Sequence, residues 1–323
     1  MLTTRKLMRY LRKNHHISIK SRQSQDLRNL GYYHGYKGYR FIRTSSQRIN
    51  FKTFDEIIAI NRFDMQLKAL LYPKIMFIET ALKSYVIEAL LNDSQSENLN
   101  TIFKQSISHY RTFSYGSNNY KKSFSQRMGL RSTINSTLRR NYESNDKVAN
   151  HFFDKDREIP IWAIFESMTL GVFGTLFGCC NKNVKKYTSQ LLHFPANLDS
   201  DGEITKIIIL TLKNLRNSIA HNNIIFDCRF QNTPVPKRLI QLLQAETGLN
   251  NIDFTYIDAY FVLIVYILRK MGVTKTECKK LITGYTLAKE DLRKQIPTST
   301  WNQILGTSTR NNMEYLKIFI TNS

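Results

Sequence analysis

An all-α fold is what this sequence predicts. Strand-like alternation is scarce, while long stretches repeat their apolar residues at three- and four-residue intervals, the pattern of an amphipathic helix. At 323 residues with 42% apolar content, the chain is long for one domain yet does not demand two. One large core with appended segments is therefore expected.

Residues 1–50 read as a basic helical arm that leads into LGYYHGYKGYRFI (30–42), where glycines and tyrosines suit an irregular, packed connection. Residues 51–92 are helical throughout, with Pro73 as a kink or as the first residue of a second helix. The Ser/Asn-rich 101–145 block has little periodicity and predicts loops or a mobile insertion. Helices follow at 161–180, 183–192 and 199–223, the last capped by Asp199 or Ser200 with acids in its first turn. Pro234 and Pro236 mark a linker. Beyond it the pattern gives helices at 237–247, 254–271 and 276–291, a looser tail around Trp301, and a last helix at 312–321. The expected divisions are an arm and connection at 1–50, a helical core at 51–230 with a basic insertion at about 101–145, and a C-terminal helical extension at 231–323 packed on the core.

Charge is the outlier: 47 Lys+Arg against 25 Asp+Glu leaves +22, which bears on partners more than on fold. Half of the excess lies in residues 1–50, and a second block, 101–140, carries eight bases and no acid. Aromatic residues interleave the second block: Tyr110, Phe113, Tyr115, Tyr120 and Phe124. Phosphates need cations and unstacked bases need flat faces, so RNA is the expected partner. The candidate RNA-binding residues are Arg5, Lys6, Arg9, Arg12, Lys13, Lys20, Arg40 and Arg43 in the first block. In the second they are Lys121, Lys122, Arg127, Arg131, Arg139 and Arg140. The alternative is a solubilising or membrane-surface face, and acidic lipid would call for an amphipathic helix.

Other chemistry has little support. Cys179, Cys180, Cys228 and Cys278 fall in no zinc-binding spacing, so free thiols, no metal and no cofactor are expected. The opening MLTTRKLMRYLRKNHH is too charged for the apolar region of a signal peptide, which points to the cytoplasm. IWAIFESMTLGVFGTLFGCC (161–180) has transmembrane length and a Gly174/Gly178 pair. Glu166 and other polar residues interrupt it, so a buried helix with small residues for close packing is the better reading, with no membrane partner.

The stretch LRNSIAHNN (215–223) joins an arginine, an asparagine and a histidine at the end of a very apolar helix. On a helix Asn217 and His221 share a face with Arg216 one step round, while Ile208, Leu212, Leu215 and Ile219 anchor the other side. Histidine exchanges protons near neutrality and arginine grips phosphate with two donors. Together they suffice to cleave RNA without metal. A base takes the 2′-OH proton, the oxygen attacks phosphorus, and the guanidinium stabilises the developing charge. The bare spacing is weak evidence. The bland alternative is that Arg216 pairs with an acid while His221, Asn222 and Asn223 end the helix. Glu79 and Glu166, mid-helix acids among apolar neighbours, are expected to satisfy a buried arginine rather than to act in chemistry. Tyr32, Tyr33, Tyr36 and Tyr39 could stack bases, though tyrosines beside glycines more often pack a turn.

Five segments in order, LGYYHGYKGYRF (30–41), FDEIIAINRFDMQLKALL (54–71), IETALKSYV (78–86), IWAIFESMTLGVFGTLF (161–177) and LRNSIAHNN, resemble the Abi-like abortive-infection proteins, a branch of the HEPN superfamily. The resemblance covers roughly residues 25–230. It implies a HEPN-like helical bundle, here with a basic N-terminal arm, a basic insertion and extra C-terminal helices. It further implies a role in bacterial defence against phage and an R-x4-6-H ribonuclease motif mapping onto Arg216 and His221 with Asn217 between. A homodimer that faces two motifs into one cleft is implied as well. In that reading Arg216 binds the scissile phosphate, His221 is general acid or base, and Asn217 orients one of them. The 101–140 block is longer and more basic than the family pattern. The reading from another class is a non-catalytic RNA-binding protein that holds a structured or regulatory RNA.

Overall fold

The computed structural model describes residues 3–307 and 309–322. Among these residues there are fifteen α-helices and no β-strand, so the chain is all-α. It divides into two units. One is made of Met1–Ile75, Asn214–Val235 and Ile240–Ser323; the other of Met76–Lys213 and Pro236–Leu239.

In the first unit, helix α1 (Thr4–His15) starts at Thr3, whose hydroxyl accepts from the Lys6 N–H. It buries Met8 and Leu11. Helix α2 (Ser24–Leu30) runs into a π-helical stretch, Gly31–Lys37, so the irregular connection expected from the tyrosines and glycines is a widened helical turn. Helix α3 (Phe54–Ser94) is unbroken through Pro73. Both Pro73 and Ala69, whose carbonyl loses its usual donor, are exposed, so water can take up the freed acceptor. Its buried stripe here is Phe54, Ile57, Ile60, Phe63, Leu67 and Leu71.

In the second unit the α3 stripe continues as Ile78, Leu82, Val86 and Leu90. Glu79 is buried and pairs with Lys83 at 3.4 Å, one turn away. The 101–145 block is largely helical and not a set of loops: α4 (Leu99–Gln105), a 3₁₀ turn at His109–Thr112, and α5 (Asn118–Glu143). The inward stripe of α5 is Tyr120, Phe124, Arg127, Arg131, Ile134 and Leu138, all half-buried or buried. Its helical period is hidden in the sequence because two of the six positions are arginines. Helix α6 (Lys147–Phe153) follows. The 161–180 segment is two helices rather than one, α7 (Ile161–Glu166) and α8 (Leu170–Cys179), because Thr169 caps a new start by accepting from the Val172 N–H. Glu166 is exposed. No helix of the described residues is long and apolar enough to cross a membrane.

Helix α9 (Lys182–Leu191) is amphipathic. Helix α10 (Ile204–Ala220) begins later than the sequence implies. Gly174 and Gly178 let α8 lie close against α10: a Cβ at either would stand 3.1 Å from side-chain atoms of Ile209 and Leu210 or of Lys206. After α11 (Lys237–Thr247) the remaining helices belong to the first unit: α12 (Ile257–Lys270), α13 (Lys275–Arg293), α14 (Thr298–Leu305) and α15 (Thr309–Asn322). Every residue of α12 from Ile257 to Leu268 is buried, so it is a central helix. The tail around Trp301 is helical, with the indole N–H donating to the Lys289 carbonyl. The four cysteines are free and buried.

Candidate active site

Helix α10 is fixed at its start by two acids. The Ile204 N–H donates to Asp199 and the Glu203 N–H to Asp201, which satisfies groups that a helix N-terminus leaves open. Arg238 grips Asp201 with two nitrogens, at 2.5 and 2.8 Å, and Asp199 with one at 3.0 Å. This guanidinium holds the Asp201 carboxyl down at about 2. Gly202 turns the chain at φ +74°, and any Cβ there would fall 2.3 Å from the Lys185 backbone.

The other end of α10 is a Schellman motif. Asn222 adopts φ +53°, its N–H donates to the Ile219 carbonyl, and the Asn223 N–H donates to the Ser218 carbonyl at 2.7 Å. Asn222 and Asn223 are thus the helix stop, as the bland reading of the motif has it. The three motif residues stand on the last turns. Leu215, Ser218 and Ile219 are buried behind them, Arg216 is half-buried, and Asn217 and His221 are exposed. The Asn217 carbonyl accepts from the His221 N–H at 3.0 Å, and its side-chain oxygen lies 3.4 Å from an Arg216 guanidinium nitrogen. The imidazole of His221 makes no hydrogen bond or ion pair with any described residue.

The turn that follows hangs from two residues of α3. Asp64, fully buried, accepts from the backbone N–H groups of Ile225 (2.8 Å) and Phe226 (2.9 Å), from the Tyr39 hydroxyl (3.3 Å), and from Lys68 (2.8 Å). Lys68 in turn donates to the Asn222 side-chain oxygen at 2.9 Å. Burial and the neighbouring Asp64 push the Tyr39 hydroxyl far up, so it stays a donor. A second clasp lies just beyond. Asp227 accepts from the Arg43 N–H at 2.6 Å and from Arg229, whose other donors reach the carbonyls of Gly38 (2.8 Å) and Phe41 (2.7 Å). Sequence reasoning missed Asp64, Lys68, Asp227 and Arg229. The signal for the first two was present: an Asp and a Lys one turn apart inside the apolar stripe of 54–71.

The basic candidates separate by placement. Arg5, Lys6, Arg9, Lys13 and Lys20 are exposed and have no acid partner among the described residues, as are Lys121, Lys122 and Arg140. Arg139 stands 3.5 Å from Glu143. Arg12 donates twice to the Ile19 carbonyl. Arg40 lies over the rings of Tyr36 and Phe41, and Arg43 over Tyr256. Arg127 donates to the carbonyls of Phe103 and Ile107 at the end of α4 and lies among the rings of Phe103, Tyr110 and Phe124. Arg131 donates to Asn100 at 2.6 Å. On the apolar side of α1, Met8 and Leu11 are buried.

Together these features define an all-α protein with a polar Arg/Asn/His edge on a rigidly held helix end. The family model for Abi-like proteins matches residues 25–227, from α2 to Asp227 of the second clasp. The chain belongs to the Abi-like family, and hence to the abortive-infection class of phage-defence proteins. Comparison with curated proteins and with solved structures gave no match.

Proposed function

We propose that this protein is an abortive-infection effector of the HEPN type, a metal-independent endoribonuclease that cleaves RNA through Arg216, Asn217 and His221. The observation that carries the reading is the end of α10: an exposed imidazole and a half-buried guanidinium on adjoining turns, beside a helix stop held in place by the buried Asp64–Lys68 pair. Such second-layer support is what a site needs to keep its geometry. Arg216 binds the scissile phosphate, His221 moves the proton, and Asn217 positions the Arg216 side chain that it contacts. One motif supplies one histidine, while transesterification takes a proton from the 2′-OH and gives one to the leaving oxygen. A homodimer with two motifs at its axis supplies both. The exposed bases of α1 and α5 draw RNA in by charge. Expression in cells should poison them, and His221→Ala should relieve it.

One observation favours the rival reading, a non-catalytic protein that holds a structured or regulatory RNA. No described residue orients the His221 imidazole, whereas a working catalytic histidine is usually fixed by a partner on its other nitrogen. Benign expression together with tight RNA binding is the result that decides for the rival.

A further inference from the structure

Beside the helix end that carries Asn217 and His221 lies a cavity of about 360 Å³. The Schellman turn itself makes one wall, through Ser218, Asn223 and Ile224, and the π-helical stretch makes the other, through Tyr33, His34 and Gly38. Gly38 and Ile224 approach closely there: a Cβ at Gly38 would come 2.5 Å from the Ile224 Cδ1 atom. The volume is within the usual range of small-molecule clefts, about 300–1,000 Å³.

Three features say what the cavity takes. Tyr33 is 65% exposed, unlike the buried Tyr36 and Tyr39. Its ring is braced edge-on by Tyr32 (5.3 Å between centroids, 87°) and lies 4.6 Å from the Lys37 ammonium. A large aromatic face held still in water is a stacking platform rather than core. Arg229, the guanidinium among the lining residues, is spent on Asp227 and two backbone carbonyls, so it is not left for a phosphate. The side chains of His34 and Asn223 make no hydrogen bond or ion pair with any described residue, and each can read donors and acceptors on a flat ring.

We infer that this cavity binds one unpaired nucleobase of a single-stranded RNA, stacked on Tyr33 and read by His34 and Asn223, next to the phosphate held at Arg216. The last clause rests on the ribonuclease reading; the base pocket does not. It gives the site a sequence preference that the motif alone cannot supply, since Arg216 and His221 touch only what every nucleotide shares.

The test uses the full-length His221→Ala protein, which binds without cutting, and a short single-stranded RNA carrying one 4-thiouridine. Irradiation followed by peptide mapping should place the crosslink on residues 31–38 or 218–224. By fluorescence anisotropy Tyr33→Ala should weaken binding roughly tenfold, the loss of one base stack, and Tyr33→Phe should stay within about twofold because the ring is kept. Tyr33 is on the surface, so the helical circular dichroism should not change. Crosslinks elsewhere, unchanged affinity of Tyr33→Ala, or equal losses with Ala and Phe would each overturn the pocket. The two readings fail separately. A wild-type protein that cuts no RNA but crosslinks at Tyr33 loses the nuclease and keeps the pocket. A cutting protein whose affinity and cleavage preference ignore Tyr33→Ala keeps the nuclease and loses the pocket.

Discussion

Lys68 and Asn222, 154 positions apart in the chain, meet at 2.9 Å, and the same ammonium lies 2.8 Å from the buried Asp64. The charge on one helix thereby fixes the left-handed residue that ends another. Lys68→Ala leaves the Asp64 charge buried with only neutral donors, which costs about 3 kcal/mol. Urea denaturation should show a lower midpoint at unchanged slope. RNA cleavage should fall by more than the loss of folded protein, because the motif turn is loosened.

Helix stop and chemistry can be separated at adjacent residues. Asn222→Gly and Asn222→Ala both remove the Lys68 bond to the side-chain oxygen, and alanine, unlike glycine, keeps a Cβ in left-handed backbone, so Asn222→Ala should be the less stable of the two by about 1–2 kcal/mol. His221→Ala touches neither and should melt within a few degrees of wild type while losing all RNA cleavage. Arg216→Ala should also abolish cleavage. Wild-type activity should persist in EDTA and leave 2′,3′-cyclic phosphate ends, checked by end-specific ligation. An EDTA-sensitive activity, or a fully active His221→Ala protein, would sink the motif.

The basic residues of α5 divide into two kinds with opposite phenotypes. Replacing the exposed Lys121, Lys122, Arg139 and Arg140 with glutamine should lower RNA affinity and flatten its salt dependence, the log–log slope shrinking by about 0.7 for each phosphate that the protein ceases to neutralise. Stability should hardly change. Arg127→Gln should instead cost about 2 kcal/mol, since its guanidinium closes the end of α4 through two backbone carbonyls. Filter binding over a salt series and thermal melts read the two effects apart.

Light scattering tests assembly. The expected protein mass is twice 37.9 kDa, alone or, after the RNA mass is subtracted, in the RNA complex. A strict monomer in both states contradicts the two-histidine mechanism.

Stability should also depend on pH. Burial, with Arg40 and Arg48 beside it, holds the His15 imidazole below its ordinary 6.5; burial, with Lys185, does the same for His109. Over that interval the unfolded chain binds protons that the folded chain refuses, so stability is full above 6.5 and is lost as pH falls below it. Melting temperature should drop between about pH 7 and pH 5, and His109→Gln should reduce the drop.

Much of the fold was legible because burial of α3 and α10 follows apolar spacing closely: Phe63, Leu67 and Leu71, then Ile208, Leu212 and Leu215. Where buried positions carry polar residues, the pattern failed. Arg127 and Arg131 occupy the inward stripe of α5 and made a 26-residue helix read as loops. The break at Ser167–Thr169 was hidden because both flanks are apolar, and only the Thr169 cap marks it. At the site, LRNSIAHNN was found from its own composition. Its supports, Asp64 and Lys68, come from a distant helix, and a one-dimensional pattern cannot tell a buried ion pair from a surface one at the same spacing.

The Asp64 clasp also sets a clock. Its bonds to Ile225 and Phe226 join residues 161 and 162 apart, and the Arg43–Asp227 bond spans 184. At about 5–20 residues per second of synthesis, the ribosome needs roughly 10–30 s after making Asp64 to deliver the turn it holds. Until then the turn that ends helix α10 is unmade, and Asp64 lacks the two backbone donors that satisfy it in the folded chain.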